Sequence, residues 1–369
     1  MLKSLFGAGI NAVAGDESVQ KCLSDYPISA PVHVLAIGKA AASMLGGVCK
    51  SSVEIEAALM VTKRGHVKRN TFDTKFEILE AAHPVPDQSS MDAGRRTLDW
   101  VSSRPEGSTL LFLVSGGASS LVEVLVPDTA IDHLLTLNQS AMAQGLTVSQ
   151  INSQRTEISA IKGGKLLSHF RGKRVITLYI SDVENDSIAT VGSGIGASPP
   201  APNFDFDLHL IASNALARKS IVRAARDQGL FVIENSEALF DDVSKLAPML
   251  AQRVIDGPKG LYVWGGESTV HLPANAGLGG RNQHLGLLFA KEIAGQSAIT
   301  GLFAGTDGTD GPTDFAGALV DGQTFTAQAG AQAALDQANS GTYLQSCDAI
   351  IETGPTGTNV MDIALVLKQ

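Results

Sequence analysis

Short, wholly apolar, β-rich runs alternate with longer helical stretches, and this alternation constrains the chain more than any other feature. Val32–Ile37, Ala57–Val61, Phe76–Leu79, Thr109–Val114, Arg174–Ile180, Leu208–Ala212 and Phe231–Ile233 read as strands. Ala40–Lys50, Ser90–Ser102, Ile131–Gln144 and Ala215–Asp227 read as helices between them. Strands that are apolar on both faces, joined by helical connections, imply an α/β fold with a largely parallel sheet covered on both sides.

A second set begins near Gly260, with strands Leu261–Trp264, Thr269–Leu272, Ala298–Phe303, Ala349–Glu352 and Ile363–Leu367, and helices Asn282–Ile293 and Thr324–Asn339. A length of 369 residues favours two domains. The boundary is expected within 235–258, giving domains 1–245 and 246–369. Pro199-Pro200-Ala201-Pro202 reads as a rigid loop inside one sheet. The first helix is expected to be amphipathic, because Leu2, Leu5, Phe6, Ile10 and Val13 share one face.

Composition narrows the function classes. A net charge of -9 without a sustained Lys/Arg stripe argues against a nucleic-acid partner. Lys63-Arg64 with Lys68-Arg69 is the one basic knot, and it reads as a solvated loop. Cys22, Cys49 and Cys347 lack metal-ligand spacing and read as reduced thiols of a cytoplasmic protein. No apolar stretch approaches the roughly 20 residues of a membrane span.

The chemistry lies in glycine-dense loops, which recur where strands run into helices, the place where open α/β sheets bind ligands. Gly277-Leu278-Gly279-Gly280-Arg281-Asn282-Gln283 delivers bare backbone, a guanidinium and two amides to a helix start. Such a start attracts anions. Thr306-Asp307-Gly308-Thr309-Asp310-Gly311 places two carboxylates in a tight turn, a seat for a hard cation. An anion clamp together with a cation seat suggests phosphoryl transfer.

Gly38-Lys39-Ala40 puts an ammonium at a helix N-terminus, which is unfavourable unless an anion shares it. A surface lysine is the plain alternative. Ser115-Gly116-Gly117-Ala118-Ser119-Ser120 offers hydroxyls and N–H groups to a phosphate or carboxylate, or simply caps a helix. Asn152, Arg155 and Lys162-Gly163-Gly164-Lys165 form either a second anion contact or a solvated face. Asp182 follows a strand, with Glu184 and Asp186 beside it, as a metal site or an acidic loop. Gly265-Gly266-Glu267 reads as a hairpin turn, leaving Glu267 a weak candidate. The histidines show no ligand spacing and read as structural, with His83, before Pro84, set apart. No G-x-x-x-x-G-K-[ST] loop occurs, and Gly192-Ser193-Gly194-Ile195-Gly196 runs into Pro199 rather than a helix.

In order along the chain, these loops resemble the glycerate 2-kinase family of the MOFRL-domain type, often labelled hydroxypyruvate reductases. The matching stretches are Ala36–Ala40, His83–Asp87, Leu113–Leu121, Ile161–Leu166, Ile180–Val183, Gly265–Glu267, Gly279–Gln283, Thr306–Gly311 and Thr353–Asn359. The resemblance implies a Rossmann-like N-terminal domain, a smaller MOFRL-like α/β domain and an active site in the cleft. It also implies phosphorylation of D-glycerate at its 2-hydroxyl, with ATP and Mg²⁺.

On this reading Lys39, Arg281 and Asp182 are catalytic, and Asp182 and Asp307 are metal candidates. Ser115, Gly116, Gly117, Ser119, Lys162, Gly279, Gly280 and Asn282 hold substrate or phosphate. The implied partners are small molecules only, with no nucleic acid or membrane, for a monomer or homodimer. The segment after Asp182, Val183-Glu184-Asn185-Asp186-Ser187, departs from the family pattern, as do Gly194-Ile195-Gly196 and Thr156. The chain is also shorter than most relatives. A nicotinamide-dependent hydroxypyruvate reductase, a kinase of another small hydroxy acid and a non-catalytic sugar-phosphate-binding protein are the alternatives.

Overall fold

The computed structural model describes residues 1–28, 30–67, 71–143 and 148–369. Lys68 and Arg69 of the basic knot, and the last residue of the expected helix Ile131–Gln144, lie outside the described residues.

The early apolar runs become β1 (Val32–Ile37), β2 (Ile55–Lys63), β3 (Glu77–Ala81), β4 (Thr109–Val114), β5 (Arg174–Ile180) and β6 (Asp205–Ala212). They form one sheet in the order β3-β2-β1-β4-β5-β6, and every pair is parallel. This is the strand order of dinucleotide-binding doubly wound folds, with its switch point between β1 and β4. β1 and β4 are buried along their whole length, as continuous apolar strands at the centre of such a sheet must be.

The second set begins with β7 (Val232–Glu237) and β8 (Gly260–Gly266) and continues with β9 (Ile299–Gly305), β10 (Gly317–Asp321), β11 (Ile350–Ile351) and β12 (Asp362–Lys368). Their order is β11-β10-β9-β12-β8-β7, antiparallel except for the β7/β8 pair. The chain is therefore α/β with two sheets.

Packing divides the chain into two units that are not contiguous in sequence. The first comprises Ala14–Ser213 with Gly357–Asn359; the second comprises Met1–Val13, Asn214–Thr356 and Val360–Gln369. This differs from the expected division at residues 245 and 246. The reason is pairing: the run near Phe231 forms β7, which adds to β8 in the second sheet. The amphipathic first helix, Leu2–Ala12, packs on the helix Asn214–Asp227 of its own unit, where Ser220 Oγ donates to the carbonyl of Ala8 at 3.1 Å. Leu2, Leu5, Phe6, Ile10 and Val13 are all buried, as the helical spacing requires.

Two element expectations fail, and one strand is additional. Thr269–Leu272 is not a strand; Thr269 makes only an isolated bridge with Asp242, so Gly265-Gly266 ends β8 rather than turning a hairpin. Thr324–Asn339 is not one helix: a 3-10 turn ends at Thr326, and a separate short helix, Ala331–Asp336, starts after Gly330, whose φ is +98°. The strand β10 was not anticipated.

Candidate active site

In the first unit, the carboxyl ends of β1, β4 and β5 bring the expected loops together. Gly38 leaves β1 with φ +134° and lies so close to Ser115 that a Cβ would fall 2.1 Å from its Oγ. Ser115 Oγ accepts from the backbone N–H of Ala40 at 3.1 Å, and the N–H of Lys39 donates to the carbonyl of Gly116 at 2.9 Å. The two loops of the switch point are thus bonded to each other, with Lys39 between them.

Gly116 is glycine for a steric reason. A Cβ there would meet Asp182 Oδ2 at 1.9 Å and Asn359 Nδ2 at 2.4 Å. Asn359 Nδ2 donates to Asp182 Oδ2 at 3.1 Å, fixing the carboxylate against the loop. At Gly117, with φ +84°, a Cβ would lie 3.0 Å from the His83 ring and 3.2 Å from Lys39 Cγ. Ser119 Oγ receives Arg155 Nη1 at 2.9 Å and lies 2.9 Å from Ser193 Oγ, which donates to Asn152 Oδ1 at 2.9 Å. Lys39, Ser115, Gly116, Gly117, Ser119 and Asp182 therefore share one end of the sheet. His83 and Asn359 join them.

Lys162 does not. Its side chain is 0 % exposed, and Nζ donates to the carbonyl of Val122 at 2.9 Å and lies 3.6 Å from Glu123 Oε2. Burial lowers its pKa, with Glu123 opposing. A wholly enclosed ammonium bonded to the protein is unavailable to substrate phosphate, so the expected anion contact at Lys162 is a buried structural pair instead. Glu123 Oε1 also accepts from Ser159 Oγ at 2.5 Å.

In the second unit, Arg281 opens the helix Arg281–Glu292. Its Nε and Nη2 donate to Asp362 at 2.6 and 3.1 Å, and Nη1 lies 2.8 Å from Glu267 Oε1. Burial works to lower its pKa, but Asp362 and then Glu267 overcome this and hold it above the ordinary guanidinium value. Asp362 begins β12 opposite Gly266 and Gly305, glycines on both neighbouring strands. Asn214 Nδ2 fixes its backbone, donating to the carbonyls of Asp362 and Val360, each at 2.9 Å.

The helix start itself departs from expectation. The N–H groups of Asn282 and Gln283 donate to the Asp310 carboxylate at 3.1 and 2.8 Å, and Asn282 Nδ2 also reaches it at 3.3 Å. Gly280 lets this carboxylate in, since a Cβ there would lie 2.2 Å from Asp310 Cγ. An internal anion thus occupies the place expected for phosphate at Gly280 and Asn282, and Asn282 is buried. Gly279 lies against the backbone N–H of Gly341, where a Cβ would be 3.0 Å away. Burial pushes the Asp310 pKa up to about 6, against the Gln283 hydrogen bond. Asp307 stands in an Asx turn, accepting from Thr309 N–H and Oγ1, both at 3.0 Å.

Asp362, which binds Arg281, and Asn359, which binds Asp182, were not among the expected site residues. The signal for Asp362 was a carboxylate opening an otherwise apolar run; Asn359 closes the Thr353–Asn359 stretch. Among the described residues, no group of three or more His, Cys, Asp or Glu is arranged to hold a metal, and no helix is long and apolar enough to cross a membrane.

Comparison with known proteins places these features in context. Residues 1–224 match a domain of unknown function (DUF4147), and residues 260–362 match the MOFRL family. A D-glycerate 2-kinase of Thermotoga maritima is 32% identical over 97% of this chain and 95% of its own. A glycerate 2-kinase of Pyrococcus horikoshii is 29% identical over 98% of this chain and 93% of its own. The crystal structure of a Thermotoga maritima glycerate kinase superposes with a TM-score of 0.87 and 28% identity, covering 99% of this chain and 98% of the other.

Proposed function

We infer the function from one premise: the chain belongs to the glycerate 2-kinase family, which joins a DUF4147 domain to a MOFRL domain. On that premise the protein is a kinase that transfers the γ-phosphoryl group of ATP to the 2-hydroxyl of D-glycerate. The observation that carries this reading is the switch-point cluster, where Lys39, the Ser115–Ser119 loop and Asp182 meet at the strand ends.

The chemistry asks for positioning and charge neutralisation more than covalent help. Lys39 supplies a cation to the phosphate. Gly116, Gly117 and Ser119 supply hydroxyl and N–H donors for phosphate or the glycerate carboxylate, while the buried Ser115 hydroxyl holds the β1 loop through the N–H of Ala40. The Asp182 carboxylate, held by Asn359, orients the 2-hydroxyl toward phosphorus. In the second unit, Arg281 offers a guanidinium to phosphate, and Asp362 fixes its direction.

Mg²⁺ would neutralise charge on the ATP phosphates. It usually takes one or two carboxylates, completing its shell with phosphate oxygens and water. Asp182, and in the second unit Asp307, each offer a half-buried carboxylate of that kind. We place the reaction in the cytoplasm.

The test is ADP release with ATP and Mg²⁺ across a panel of small hydroxy acids, alongside NADH oxidation with hydroxypyruvate. The reading expects D-glycerate to be the preferred acceptor and no NADH consumption. Hydroxypyruvate reduction without ADP release overturns it.

A further inference from the structure

The Arg281 guanidinium has two edges, and the structure treats them differently. One edge, Nε with Nη2, is taken by Asp362, whose side chain is 1 % exposed. Asp362 cannot leave, because a buried carboxylate stripped of its partner is strongly disfavoured. The other side, Nη1, is held by Glu267, whose side chain is 48 % exposed and which directly follows the last residue of β8. Glu267 returns to water at little cost, as half-exposed ion pairs contribute little.

We propose that Glu267 is a built-in competitor for phosphate at Arg281: it occupies Nη1 in the empty protein and yields that position to a phosphate oxygen of the bound nucleotide. This rests on the reading that Arg281 contacts phosphate. A phosphate carries more charge than a carboxylate and has oxygens suited to the guanidinium fork, so exchange at Nη1 favours it. Asp362 keeps the guanidinium aimed throughout. The consequence is weaker nucleotide binding than an unblocked arginine would give, in return for an arginine that is oriented and neutralised before ligand arrives.

The experiment is calorimetric titration of the full-length protein with ATP, comparing wild type, Glu267→Gln, the Arg281→Gln/Asp362→Asn pair and the triple variant. The pair removes both charges of the ion pair together, so the buried Asp362 carboxylate is not stranded, and Glu267→Gln alters an exposed side chain. Glu267→Gln should tighten ATP binding about 2- to 5-fold, the scale of an exposed ion pair. The charge-neutral pair should weaken binding, and Glu267→Gln added to it should change nothing further. If the pair weakens binding but Glu267→Gln alone leaves the affinity unchanged or lower, the competitor role is overturned while the reading of Arg281 survives. Equal tightening with and without Arg281 overturns it too, since a general field effect then suffices. If the pair binds ATP like wild type, the reading of Arg281 itself fails, and the competitor role with it.

Discussion

Asn359 Nδ2 donates to Asp182 Oδ2 at 3.1 Å across 177 residues of sequence, and the two meet where Gly116 leaves no room for a side chain. A Cβ at Gly116 would overlap both groups, so Gly116→Ala should displace the Asp182 carboxylate. Misplacing a catalytic group by about 1 Å typically costs about 10²-fold in rate. We expect kcat to fall on that scale, with the urea midpoint changing little. Kinetics of Gly116→Ala beside Asn359→Ala check this; full activity in both variants contradicts the assigned role of Asp182.

Lys162 and Glu123 form a buried pair, and breaking such a pair from one side costs about 3–5 kcal/mol. Lys162→Met should therefore lower stability on that scale, and Lys162→Met/Glu123→Gln should recover much of the loss. Urea unfolding of the two variants measures it. If Lys162→Met keeps full stability but loses nucleotide binding, Lys162 is a ligand contact after all.

The Asp310 carboxyl has its pKa raised from 3.8 to about 6 by burial. The folded state therefore holds this proton more tightly than the unfolded chain. Its contribution to stability is fully present below about pH 4 and is lost as pH rises through about 6. Other groups also titrate in this window, so the informative quantity is wild type minus Asp310→Asn. That difference should decline between pH 4 and 7 in urea titrations; a flat or rising difference rules out the raised pKa.

Lys39 stands between the β1 and β4 loops, and the proposed mechanism has it neutralise charge on the transferred phosphoryl group. Lys39→Ala should lose about 10³-fold in turnover. Because Ser115 and Gly116 hold this loop through the backbone of residues 39 and 40, the thermal midpoint should stay near wild type. Turnover within a few-fold of wild type removes Lys39 from the mechanism.

Much of this architecture was legible because it is local. The parallel sheet followed from the apolar runs that became β1, β4 and β5, and the ligand loops from glycines at their ends. What could not be read depends on partners far along the chain. Lys162 beside two glycines looks like a phosphate loop until Val122 and Glu123 close over it. The helix start at Asn282 invites an external anion until Asp310, 28 residues later, fills it. Asp362 meets Arg281 across 81 residues with no pattern to announce the pairing. β7 changed sheets for the same reason, since pairing to β8 rather than local composition decides where it belongs. Gly330 was a local signal that helical periodicity over Thr324–Asn339 obscured.

The most direct measurement is phosphorus NMR of the product formed from ATP, Mg²⁺ and D-glycerate by wild type, Lys39→Ala and Arg281→Ala, each first shown to be folded by circular dichroism. The account predicts 2-phosphoglycerate with wild type and almost none with either variant. Phosphate on the 3-hydroxyl, no phosphorylated glycerate from wild type, or undiminished product from the folded variants would contradict it.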